Sequence, residues 1–168
     1  MKIKSFLLAT LLVSASAIAG LSNPGNTQIP AVGTSYTPPA GFLGQSISSV
    51  ISNGSAVALT TVTPANITSI SLTPGNWLVF GLCAYLATST TTISYTACSI
   101  SNTSATLIGG QTTLQTTPGG STALNTGQSA STQLVQLAST TTYYLVAQSS
   151  FAGSTLSGYG SIFAIRLF

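Results

Sequence analysis

No aspartate, glutamate or histidine occurs in this chain of 168 residues, and its only basic residues are Lys2, Lys4 and Arg166. A chain this poor in charge has few ways to solvate a helix. It lacks acidic N-caps and the Glu–Lys pairs at helical spacing that support exposed helices. Hydroxyls take the place of charge: 26 Ser and 27 Thr accompany a hydrophobic fraction of 44%. That apolar share is enough for a core, which disordered chains lack. Threonine, valine and isoleucine are also the side chains that fit a pleated surface. The composition therefore points to sheet.

The punctuation agrees. Short runs rich in Val, Ile, Thr and Tyr cover residues 46–51, 56–62, 67–72, 77–87, 93–101, 107–115, 130–138, 143–151 and 159–168. Between them lie turn signals: Asn53-Gly54, Thr73-Pro74-Gly75-Asn76, Gly109-Gly110, Pro118-Gly119-Gly120, Asn125-Thr126-Gly127 and Ser157-Gly158. Many short strands at this spacing predict an all-β sandwich or barrel, and the length suits one domain.

Two strands invite a register. Centring a turn between Thr90 and Thr91 pairs 77–87 with 93–101 as a hairpin and sets Cys83 opposite Cys98. Alternation then places Leu78, Phe80, Leu82, Ala84 and Leu86 on the core face and the two cysteines on the other. A cross-strand disulfide fits that separation; two free thiols, or a bridge to another subunit, are the alternatives. The last strand is apolar on both faces. Phe163, Ile165 and Leu167 share one; Ile162, Ala164, Arg166 and Phe168 share the other. Either the strand is central and covered twice within the domain, or one face packs on a neighbouring copy.

The N-terminal end reads differently. Lys2 and Lys4 precede an apolar run from Phe6 to Ile18, and Ala17-Ile18-Ala19 has the small-x-small pattern of a cleavage site. Residues 1–19 are expected to be a secretory signal peptide, too short to span a bilayer. Export implies an oxidising compartment, which favours the disulfide. Residues 20–43 hold Pro24, Pro30, Pro38 and Pro39 among glycines and form an extended arm. The arm is a plain linker or a strand donor. As a donor its best segment is 27–33, with Thr27, Gln28, Ile29, Ala31 and Val32, although Pro30 removes one ladder bond. Residues 44–168 make the β domain.

The composition also argues against whole classes of chemistry. Carboxylate pairs and Ser–His–Asp arrangements lack their residues, and two cysteines cannot complete a zinc site. No enzyme activity, metal or cofactor is expected. With one Arg after residue 19, nucleic acid is not an expected partner either. Three N-x-S/T triplets start at Asn53, Asn66 and Asn102, a frequency that abundant Ser and Thr produce by chance. Tyr143, Tyr144 and Tyr159 are the aromatics that could stack on a sugar.

The segments SISLTPGNWLVFG (69–81), ISNTSATL (100–107) and TTTYYLVAQSSFAGSTLSGYGSIFAIRLF (140–168) occur in an order that resembles a known kind of domain. They are similar to the C-terminal β-sandwich of phage tail-fibre-like proteins, among the trimeric jelly rolls of tumour-necrosis-factor and spore-surface type. The resemblance spans about residues 44–168 and implies an antiparallel jelly roll used for self-association, display or receptor contact. This chain differs in its signal peptide and in having only Arg166 where the last strand of tail fibres commonly carries several arginines. Those differences favour a surface-displayed subunit. The expected function is thus a secreted structural protein, outside the cell or on its surface and not integral to the membrane. It would assemble with itself into a filament or layer. A trimeric adhesin that binds a receptor or surface glycan is the alternative.

Overall fold

The computed structural model describes residues 40–88, 90–122 and 126–167, with backbone alone for 117–122. In chain order the strands are β1 (Ser46–Ile51), β2 (Val57–Ala58), β3 (Ala65–Leu72), β4 (Gly75–Ala87) and β5 (Thr92–Ser101). There follow β6 (Thr113–Thr122), β7 (Thr126–Ser129), β8 (Gln133–Leu137), β9 (Thr141–Ala152) and β10 (Leu156–Arg166). Two antiparallel sheets form a sandwich. Sheet A runs β1-β10-β4, with β7 and β8 sharing the far side of β4 and β2 pairing with β10; sheet B runs β3-β9-β5-β6. The chain crosses repeatedly between sheets, which is the connectivity of a jelly roll.

The core lies between the sheets. β4 supplies Trp77, Val79, Cys83 and Tyr85; β5 supplies Ile93, Cys98 and Ile100; β9 supplies Tyr143, Leu145 and Ala147. From β10 come Leu156, Ile162 and Ala164. In β3, the register against β9 shifts between Asn66 and Thr68. This bulge turns Ile67 inward together with Ile70 and Leu72, although strict alternation would send Ile67 out. Gly160 sits mid-strand at φ 151°, and a Cβ there would run into the Leu82 carbonyl. Only glycine lets β10 lie this close to β4.

Several expectations need correction. The 77–87 and 93–101 strands are not a hairpin: β4 belongs to sheet A and β5 to sheet B. The face assignment reverses with it, so that Trp77, Val79, Cys83 and Tyr85 point inward while Phe80 and Leu82 are exposed. Trp and Tyr suit the inner face because their polar ends find acceptors there. Trp77 Nε1 donates to Thr73 O at 2.9 Å and Tyr85 Oη to Ala97 O at 2.6 Å. The expected 56–62 strand shrinks to β2, and Val62 adopts a positive φ of 59°. The 107–115 strand starts only at Thr113, because residues before it form a cover over sheet B. Its continuation passes through Pro118–Gly120, where the register jumps from Thr116 opposite Tyr95 to Ser121 opposite Ile93. Thr126 and Gly127, expected in a turn, begin β7 against β4.

That cover makes the two outer faces unequal. Ile108 N donates to Ser99 Oγ at 3.3 Å, and Asn66 holds residues 104–105 through Nδ2 to Ser104 Oγ and Oδ1 from Ala105 N, both 2.7 Å. Beneath it Ala97, Ser99 and Val146 are buried. Sheet A has no such roof among the described residues.

Candidate functional site

Cys83 and Cys98 form a disulfide with Cα atoms 5.9 Å apart. Both are fully buried, so the bridge ties sheet A to sheet B through the core. Of the last-strand residues, Ile162, Ala164 and Arg166 all face inward and are buried. Phe168, the arm residues Thr27, Gln28, Ile29, Ala31 and Val32, and segment 1–19 lie outside the described residues.

Arg166 is an unusual core residue, only 6% exposed. No carboxylate side chain exists to pair with it. Neutral groups hold it: Nε donates to Gln45 Oε1 at 3.2 Å, an Nη to Pro74 O at 2.8 Å and the other to Thr73 Oγ1 at 2.6 Å. Its guanidinium lies 4.5 Å from the Trp77 ring centroid, a cation–π contact. Gly75 makes room, since a Cβ there would occupy the guanidinium's position. The backbone completes the knot, with Arg166 N to Gln45 O at 2.8 Å and Gly44 N to Arg166 O at 3.0 Å. One residue therefore ties residues 44–45, where the chain enters sheet A, to the β3–β4 turn and the last strand.

The outer face of sheet A gathers five of the exposed large apolar side chains, while Phe42, Leu43, Val62 and Leu114 lie elsewhere. Phe163 stands opposite Phe80 with ring centroids 6.1 Å apart. Ile165 stands opposite Leu78, and Leu134 of β8 opposite Leu78 on the other side. In the next rung Leu82 faces Ser161, which faces Val50 of β1. Phe80 and Phe163 are 38% and 39% exposed, Leu82 46%, Val50 67% and Leu134 70%. Phe80, Leu82, Ser129, Ser161 and Phe163 line a depression in this face. None of these residues is charged. The sequence reading missed them because it turned this side of β4 inward.

The outer strands of sheet A are each tied to sheet B. β1 leans on β3, where Ser49 Oγ and Thr68 Oγ1 are 2.6 Å apart. β7 is joined to sheet B by Gln128, whose Nε2 donates to Thr113 O at 2.8 Å and whose Oε1 accepts from Thr96 Oγ1 at 2.5 Å. β8 (Gln133–Leu137) pairs with β4 alone among the described residues and is likewise tied to sheet B, by Gln133 Nε2 donating to Ile100 O at 2.7 Å. Its sequence, QLVQL, contains neither charge nor proline, the usual guards of a sheet edge.

Other candidates resolve into structure. Tyr143 is buried, and Tyr144 and Tyr159 are half-buried. The Asn66 amide is committed to the cover of sheet B. Among the described residues there is no group of three His, Cys, Asp or Glu, and no helix long and apolar enough to cross a membrane. Chemically the site offers apolar contact and backbone pairing. Comparison with family models, with curated proteins and with solved structures finds no match to this chain.

Proposed function

We propose that this chain is a secreted structural subunit that polymerises into an extracellular filament or layer by strand donation. The unguarded, uncharged edge of β8 carries the reading. A strand laid along Gln133–Leu137 gains backbone hydrogen bonds that the edge otherwise gives to water, the mode by which extended segments join exposed sheets. Segment 27–33 of a neighbour is the donor, with Ile29, Ala31 and Val32 as its apolar residues. The lone charge of the described body is buried, so no surface charge keeps copies apart. Export by residues 1–19 accords with a disulfide in the core, which suits an oxidising compartment. The reading assigns no catalytic role to any residue.

Negative-stain microscopy of the chain, with and without residues 20–39, tests it. Regular fibres are expected from the intact protein. The truncated protein is expected to keep its disulfide and its melting transition but to form no fibres. Fibres of unchanged repeat after truncation would reduce the arm to a linker and remove strand donation.

A further inference from the structure

Strand donation at β8 uses an edge and leaves the outer face of sheet A open. We infer that this face is covered by the same face of another copy of the chain, making a closed oligomer distinct from the polymer contact. The inference deepens the self-assembly reading and rests on it for the class of partner. Val50, Phe80, Leu82, Leu134 and Phe163 together expose on the order of 500 Å², the size of patch that marks an interaction site. Half-buried Leu78, Tyr159 and Ile165, with Ser48 and Ser161 between them, extend it toward the ~800 Å² per partner of a standard interface.

Charge selects the occupant. A partner bearing Lys or Glu over Phe80 and Phe163 would lose hydration and find no counter-charge. A second copy brings Leu, Phe, Val, Ile, Tyr and Ser and no charge, and its hydroxyls can pair across the contact. Sheet faces also pack on each other at about 10 Å in sandwiches generally. Because the face is apolar on both sides of such a contact, the pairing is self-complementary and closes. A filament then needs the second, head-to-tail contact that the arm and β8 provide.

Sedimentation velocity of the full chain across a dilution series, combined with hydroxyl-radical footprinting, tests the inference. The concentrated protein is expected to sediment as an oligomer with Phe80, Leu82, Leu134 and Phe163 protected. Dilution to monomer should raise their oxidation together. The double substitution Phe80→Ser/Phe163→Ser should weaken association about a hundredfold or more, from the lost burial of two aromatic rings per copy. Leu134→Ser, at the most exposed position, should weaken it less and leaves the core untouched. Protection that persists in a monomer would mean that the chain covers its own face, and overturns the inference. Reactive side chains in an oligomer, or a monomer at every concentration, overturn it too. If the oligomer survives all dilution, its release by either variant supports the inference and unchanged sedimentation of both rejects it. Fibres are scored separately by microscopy. Fibres with a reactive face would keep the polymer reading and reject this one; protected oligomers without fibres would do the reverse.

Discussion

At the scale of single residues, Arg166 shows how a cation is kept in a core without an anion. Three acceptors on Gln45, Thr73 and Pro74 and the face of Trp77 replace water around it. Its planar fork is what lets one group reach all three. Arg166→Lys keeps the charge but not the fork, and is expected to cost about 1–2 kcal/mol. Arg166→Met keeps the stem but leaves the three acceptors without their donor, and is expected to cost about 2–3 kcal/mol. Urea denaturation of the three proteins checks the order Arg, Lys, Met; equal stabilities would mean that water satisfies the acceptors as well. Position 166 was legible as one member of a doubly apolar strand. Its burial was not, because the acceptors come from positions 92 to 121 residues away.

At the scale of elements, alternation supplied the strands but not the phase of β4. Both of its faces are apolar, so counting aliphatic side chains favoured Leu78, Phe80 and Leu82 over the true inner set. Cys83 held the missing signal. Cysteine is among the most buried residue types, and a disulfide inside a sandwich fixes which face looks inward. β1 was read to the residue as a Ser/Ile/Val run ending before the Asn53-Gly54 turn, although Ser49 and Val50 break its alternation, whereas β7, TGQS, is held by Gln128 and has no apolar pattern to find. The pairing of the cysteines was legible, while the identity of the sheets they join was not. The inter-sheet position has a measurable consequence. With both cysteines fully buried, the bridge should resist reductant in native buffer and yield only with denaturant present, as alkylation and mass measurement would show. Once broken, as in Cys83→Ala/Cys98→Ala, it should lower unfolding free energy by about 3 kcal/mol, the chain entropy of a loop of about 15 residues. Rapid reduction of the folded protein would contradict the buried placement.

At the scale of the whole molecule, the absence of charge governs the response to solution conditions. Stability changes with pH only where folded and unfolded chains bind different numbers of protons. Aspartate, glutamate and histidine are absent, and both thiols are in the disulfide. From about pH 4.5 to 7 no side chain has an ordinary pKa to titrate, and with few charges to screen, salt should matter little. The alkaline side differs because of two phenols. Burial pushes Tyr85 well above its ordinary value, and burial also raises Tyr143. Raised phenol values mean that the folded chain holds protons that the unfolded chain gives up above about pH 10. The stability contributed by these neutral phenols is complete below that pH and declines as pH climbs through and beyond it. The melting temperature should therefore be level from pH 3 to 9 under non-reducing conditions and fall above about 10. Tyr85→Phe should flatten part of that fall while lowering stability near neutrality by about 1 kcal/mol, because Ala97 O loses its donor. A steep loss below pH 5 would instead require a titrating partner or bound ion that the chain itself does not contain.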